Sequence, residues 1–378
     1  MPRMTTTAGV VALLGLSGAL AASASNNSTA SSSCTFSGST GYSEVSENKN
    51  SCSTIILDSL EVPGGETLDL TDLNDGTTVI FEGRTTWDYA EWEGSLFSVS
   101  GNNITVKGAA GSVLDGQGAL WWDGLGGNGG VTKPKFFKAN HLNDSVLDGI
   151  YILNAPKNSF SINHINNLVV KNVVINNTAG NELNSAGKTL GHNTDAFDIN
   201  TCDGVVIQNV SVWNQDDCVA VNSGSNVIFK DSLCSGGHGL SIGSVGGRSN
   251  NVVSNITFDN VVVENSQQSI RIKTISNTTG EVSDITYRNI VIDAPLDNTK
   301  YGIVVSQSYN GVDGEPTNGV SITNFNLQNV TGTVYDEAIN IYIECGEGSC
   351  SDWTWTDVNV TGGQNATDCL NVPEGISC

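Results

Sequence analysis

Val205-Val206-Ile207-Gln208-Asn209-Val210-Ser211-Val212 carries the pattern on which the fold turns. Apolar side chains fall on every second residue up to Ile207, the period of a strand with one buried face. Asn209 then breaks the alternation, and asparagine is one of the few residues that tolerate a left-handed backbone. A second alternating triplet, Val210 to Val212, follows at once, so the phrase reads strand, corner, strand. Working outward, apolar-x-apolar-x-corner recurs at Ile104–Gly108, Leu168–Asn172, Val227–Asp231, Ile256–Asn260, Ile285–Asn289, Phe325–Asn329 and Trp353–Asp357, and more loosely at Gly149 after Leu147.

Corner-to-corner steps are 41, 23, 37, 22, 29, 29, 40 and 28 residues. That spread is too wide for a propeller or a leucine-rich array, yet it has a floor near 22. A parallel β-helix behaves this way, because each coil has a minimum length to which loops are added. A β-sandwich would need hairpin turns between its strands, and the pairs Asn310-Gly311 and Asn318-Gly319 sit together in one long loop. The sequence predicts an all-β, single-domain, right-handed parallel β-helix.

The composition agrees with one folded domain. Of 378 residues 38% are hydrophobic and 15% charged, and no linker or charge run divides the chain. Lys+Arg number 16 against 39 Asp+Glu, a net charge of −23, with the basic residues scattered. Nucleic-acid binding is therefore not expected. Scarcity of Lys and Arg, in place of an acidic tail, suits a secreted protein working in acid. Residues 1–21 read as a signal peptide: Arg3, an apolar run from Ala8, and Ala-x-Ala steps at Ala19–Ala21 and Ala22–Ala24. The run is shorter than the roughly 20 residues of a membrane span, so no membrane association is expected. All nine cysteines follow it. Pairing sequence neighbours gives Cys34 with Cys52, Cys218 with Cys234, Cys345 with Cys350 and Cys369 with Cys378, leaving Cys202 a buried thiol, although sequence alone does not fix connectivity. Asn103, Asn143, Asn255, Asn277 and Asn365 head N-glycosylation triplets.

If a coil takes about 22 residues, positions 22 apart stack at roughly 4.8 Å. Asp195 stacks with Asp217 and Asp216 with His238, each beside a turn. Matching apolar positions sets Ser269-Ile270-Arg271 over Gly239-Leu240-Ser241, with Tyr301-Gly302-Ile303 over those. The face collects three carboxylates, one imidazole, Arg271, Lys273 and Tyr301. Like charges this close raise one another's pKa and destabilise a fold, so the cluster points to function. Carboxylates flanking a bond are what glycoside hydrolysis requires, one protonated and one ionised. Arg271 and Lys273 suit a carboxylated sugar.

Asn193-Thr194-Asp195, Gln215-Asp216-Asp217, Gly237-His238-Gly239 and Arg271-Ile272-Lys273 together resemble the four signature motifs of polygalacturonases in glycoside hydrolase family 28. The flanks Asp195–Ile199, Ser241–Arg248 and Tyr301–Ile303 resemble the fungal endo-acting members, and the resemblance runs from about Cys34 to Cys378. It implies a pectin-lyase-like solenoid hydrolysing α-1,4-galacturonan with inversion, without metal or other cofactor. It implies Asp216 as general acid, Asp195 and Asp217 on the attacking water, His238 supporting Asp216, Arg271 and Lys273 on substrate carboxylate, and Tyr301 at the sugar site. The expected enzyme is extracellular and monomeric, with pectin as partner and plant inhibitor proteins as further partners. The catalytic domain is expected over residues 34–378. Between Ala21 and Cys34 there is no dibasic site of the kind that ends relatives' pro-segments, which leaves room for a short one to about residue 33. The alternatives are an exo-acting polygalacturonase, a rhamnogalacturonase, a pectate or pectin lyase on the same fold, or a non-catalytic wall-binding β-helix. Arg-Ile-Lys disfavours the rhamnogalacturonase, Gly-His-Gly with Arg-Ile-Lys the lyase, and the aspartate register the binding protein.

Overall fold

The computed structural model describes residues 33–310 and 314–378; the signal peptide expected over 1–21 lies outside them. Among the described residues, every pairing between named strands is parallel, in two sheets of 18 and 10 strands. The chain winds as a right-handed parallel β-helix. The ten-stranded sheet takes one strand per coil, in chain order from Leu68–Leu70 through Phe197–Asn200, Val219–Val221, Leu240–Val245 and Gln268–Ile275 to Ile339–Glu344. The eighteen-stranded sheet forms the rest of each turn, bent at the predicted corners.

Register is held from inside by an aromatic stack. Phe97, Phe137, Phe160, Phe197, Phe229, Phe258, Tyr287 and Phe325 follow one another with ring centroids 4.4–6.3 Å apart. All are fully buried, and the Tyr287 hydroxyl donates to the Leu240 carbonyl at 3.2 Å. Sliding one coil by one residue would expel its ring from this stack, because alternate side chains face opposite ways.

Corners are held from outside. Asn172, Asn209, Asp231, Asn260, Asn289, Asn329 and Asp357 all have φ between 52° and 56°. Their side chains bond from coil to coil, as in Asn209 to Asn172 at 2.7 Å, Asn260 to Asp231 at 2.8 Å and Asn329 to Asn289 at 3.0 Å. Gly108 departs from the expectation, since its φ is not positive; there glycine serves close approach, as a Cβ would lie 2.3 Å from the Gly149 carbonyl oxygen. A second ladder, not anticipated, precedes each apolar phrase: Asn167 to Asp144 at 2.9 Å and Asn255 to Asn226 at 2.6 Å. Two of the glycosylation triplets, at Asn277 and Asn365, have exposed asparagines outside these ladders.

One helix accompanies the strands of this all-β fold. Gly38–Asn48 is an α-helix that covers the first coil, burying Val45. Gly41 allows its approach, because a Cβ there would sit 2.7 Å from Leu60 Cδ2. Its weak apolar periodicity hid it in the sequence. The four disulfides join the sequence neighbours, Cys34–Cys52, Cys218–Cys234, Cys345–Cys350 and Cys369–Cys378. Cys202 is a buried free thiol, which burial pushes up to about 11. No helix among the described residues is long and apolar enough to cross a membrane.

The corner chemistry is testable at Asn260. Asn260→Gly keeps the left-handed backbone accessible and loses one exposed hydrogen bond, whereas Asn260→Val adds steric strain of about 1–2 kcal/mol. Urea unfolding should rank wild type above Gly and Gly above Val; equal midpoints for the two variants would mean that the corner conformation is not under constraint.

Candidate active site

The strand Phe197–Asn200 pairs with Val219–Val221 at a step of 22 residues, which carries Asp195 onto the level of Asp217 as expected. The next step is 21, because Val219 pairs with Leu240. His238 therefore falls opposite Asp217 and not, as the 22-residue count had it, opposite Asp216. Its imidazole still reaches Asp216, Nδ1 to Oδ1 at 2.9 Å, while its backbone N–H donates to the Asp216 carbonyl at 2.9 Å. The two glycines make this turn: a Cβ on Gly237 would lie 2.0 Å from the Asp216 carbonyl oxygen. One on Gly239, at φ +71°, would lie 2.3 Å from that of Gln268.

Arg271 pairs with Ser241 in the predicted register. Tyr301 does not keep it, pairing with Gln268 where Ser269 was expected. Its half-buried ring packs against Tyr342 at 5.6 Å, in a separate depression from the aspartate cluster. The cations make a contact that spacing did not anticipate. Both turn onto Asp217, Arg271 Nη2 at 3.0 Å and Lys273 Nζ at 2.9 Å, where Ser241 Oγ also donates at 2.6 Å. Arg271 gives its other nitrogens to Ser241 and Gln268. Lys273 Nζ also lies 5.3 Å from the centroid of the Tyr309 ring.

These contacts divide the carboxylates. Burial would raise Asp216, but the His238 hydrogen bond and the charges of His238, Lys273 and Arg271 outweigh it and hold the carboxyl below its usual range. Asn193 donates to its other oxygen at 2.9 Å. Among the described residues Asp195 has only Asn158 as side-chain donor, at 3.1 Å. Burial, then the charges of Asp216, Asp198 and Asp217, push Asp195 well above the ordinary range. Three buried aspartates this close titrate as a set, and Asp195, which pairs with no cation among the described residues, is the one whose carboxyl is raised.

Sequence reasoning gave no role to Asp198 and did not see Lys135. Asp198 is 9% exposed, and burial raises it to about 6 against the pull of Lys135. A signal for Asp198 was present, an acidic residue on the outward side of a strand between inward Phe197 and Ile199. Lys135 gave none, since 63 residues and two coil steps separate it from Asp198. The cluster opens into a groove of about 710 Å³ that Arg248, Lys273 and Tyr309 also line. Ligand atoms of Asp216, Asp217 and His238 lie close enough to share a metal ion, but two cations already hold the Asp217 oxygens and His238 Nδ1 is turned to Asp216.

The profile of the glycosyl hydrolases family 28 matches residues 52–378. The chain belongs to that family. It is 54% identical over 345 residues to endopolygalacturonase I of Aspergillus aculeatus, covering 91% of this chain and 89% of that one. It is 52% identical over 362 residues to a probable endopolygalacturonase A of Aspergillus parasiticus, covering 95% and 96%. Among solved structures, endopolygalacturonase I from Stereum purpureum, complexed with two galacturonates, superposes with a TM-score of 0.77 at 32% identity over 90% of this chain and 99% of that one.

Asp198 gives a pH prediction. Its folded-state pKa is raised, so its contribution to stability is full below about 3.8 and is lost as pH rises through about 6. Asp198→Asn should reduce the loss of unfolding free energy between pH 4 and pH 7 by up to roughly 3 kcal/mol. Urea titrations at the two pH values check this, and an unchanged pH difference would show that Asp198 ionises without cost.

Proposed function

We propose that the chain is a secreted endo-polygalacturonase that hydrolyses α-1,4-galacturonosidic bonds of polygalacturonate and pectin with inversion. One observation carries the reading: three buried aspartates share a groove with Lys273 and Arg271, so proton donor, water-activating carboxylates and cations for a uronate stand together. The groove continues past the cluster instead of ending at it, as internal cleavage requires. Four disulfides suit an oxidising compartment. Removal of residues 1–21 as a signal peptide, a catalytic domain from about residue 34, a monomeric state and recognition by plant inhibitor proteins belong to the same proposal.

Asp216 is the general acid, and Asp195 and Asp217 hold the attacking water. In the free enzyme the proton rests on Asp195. A uronate carboxylate arriving beside Lys273 and Arg271 offsets part of the positive charge that holds Asp216 low. The Asp216 carboxyl then rises and takes the proton, leaving Asp195 ionised to activate water. His238 aims the Asp216 carboxyl through Nδ1. Protonation of the glycosidic oxygen by Asp216 and attack of water from the opposite face break the bond, and the water's proton passes to the Asp195–Asp217 pair. Arg271 and Lys273 hold Asp217 as well as substrate, so their removal should lower kcat and raise KM.

Wild type should release a mixture of oligomers early in digestion of polygalacturonate, the first product carrying inverted anomeric configuration by proton NMR. Asp216→Asn should lower kcat by about 10²- to 10⁴-fold with KM little changed. Retained configuration, or a variant within a few-fold of wild type, contradicts the assignment. EDTA should leave activity intact, whereas unsaturated products and rescue by Ca²⁺ would make the enzyme a lyase.

A further inference from the structure

Residues 124–130 form a glycine-rich loop beside the aspartates that no step of the mechanism uses. Five of the seven are glycine, and four of these take a positive φ, between 57° and 136°. The loop lies outside both sheets, is mostly exposed and gives no side chain to the core. Its base is nevertheless clamped. Lys133, with a side chain 1% exposed, reaches Asp123 at 2.8 Å, and Asp123 also accepts from the Leu125 and Val131 N–H groups at 2.9 and 3.1 Å. Burying a lysine is unfavourable unless it is well paired, and here the pair fixes a loop that the core does not need.

The clamped loop rests on Asn193 and its neighbours. The Gly124 N–H donates to the Leu190 carbonyl at 2.8 Å, Asn128 Nδ2 and His192 Nε2 lie 3.1 Å apart, and the Gly127 N–H donates to Asn193 Oδ1 at 3.0 Å. Gly126 permits the approach, since a Cβ there would lie 2.5 Å from the same Oδ1. With its oxygen engaged, the Asn193 amide presents N–H to Asp216, and Nδ2 donates to Oδ2 at 2.9 Å. The other Asp216 oxygen is already filled: Oδ1 accepts from His238 Nδ1 at 2.9 Å and from the Asp217 backbone N–H at 2.8 Å. A carboxylate oxygen offers about two acceptor positions. Both on Oδ1 are taken and Asn193 takes one on Oδ2, which leaves a single place for a proton.

We infer that the loop of residues 124–130 works in catalysis through Asn193: Gly127 fixes the Asn193 amide, and Asn193, as a positioning residue, makes Oδ2 of Asp216 the oxygen that carries and aims the proton. The Asp123–Lys133 clamp keeps the Gly127 N–H where the amide needs it. This rests on the reading of Asp216 as general acid and adds the group that decides from which oxygen, and in which direction, the proton leaves.

The test measures kcat and KM on polygalacturonate across pH for wild type, Asn193→Gly, Gly127→Pro and Gly127→Ala. Glycine accepts the φ of 52° at Asn193 and deletes the donor. Proline deletes the Gly127 N–H, whereas alanine keeps it, and its Cβ would meet Asn193 Oδ1 at an ordinary 3.7 Å. Asn193→Gly and Gly127→Pro should each lower kcat by about 10- to 10²-fold with KM little changed, and Gly127→Ala, which restores the N–H, should rescue kcat. Losing a donor to ionised Asp216 also raises its carboxyl, so the alkaline limb of the kcat profile should move up in Asn193→Gly, a shift that loss of folded enzyme would not produce. The charged groups around Asp216, namely Asp195, Asp198, Asp217, His238, Arg271 and Lys273, are the same in every variant. A wild-type kcat in Gly127→Pro, an equal loss in Gly127→Ala, or an unmoved alkaline limb in Asn193→Gly overturns the inference while leaving the functional reading in place. A wild type that does not depolymerise polygalacturonate overturns the functional reading, and this inference with it.

Discussion

Parallel coils in fixed register are the constraint from which the site follows. Hydrogen bonding brings each strand of the ten-stranded sheet to about 4.8 Å from the next, and the ring stack from Phe97 to Phe325 prevents any coil from sliding. Residues distant in sequence, Asp195, Asp217, Arg271 and Lys273, then meet without any loop having to find its place. The loops that lengthen the coils leave this alignment untouched, because the pairing is made by the strands.

The same geometry creates an electrostatic problem, since burying three aspartates together is unfavourable unless each is compensated. Asp217 takes two cations, and Asp216 takes an imidazole, an asparagine amide and the field of those cations. Asp195 receives one asparagine amide, and burial beside the other aspartates raises its carboxyl well above the ordinary range. Unequal compensation thus turns a repulsive stack into a proton store beside an ionised pair. A cluster whose charges were fully matched could not deliver a proton on substrate binding.

Much of this was legible in the sequence because a β-helix writes its three-dimensional neighbours at nearly constant spacing. The Asn and Asp corners, the stacking of Asp195 with Asp217 and the four disulfides all came from local pattern. Spacing misled where a coil shortened by one residue, placing His238 opposite Asp217, and where Tyr301 slipped onto Gln268. A one-residue change in a turn is set by backbone conformation at Gly237 and Gly239, which periodicity does not record. The helix Gly38–Asn48 escaped because it covers an end and repeats nothing. Lys135 and the clamp of Arg271 and Lys273 on Asp217 depend on side-chain direction, which apolar alternation leaves open.

Carboxyl carbon-13 NMR of the aspartates in the free enzyme, titrated from acid to neutral pH, tests most directly whether the register-imposed cluster shares its proton unequally. At mildly acidic pH the account predicts Asp195 protonated, with Asp198 titrating near 6, while Asp216 stays ionised into strong acid. Asp216 carrying the proton in the absence of substrate, or Asp195 titrating as an ordinary exposed carboxylate, would contradict it.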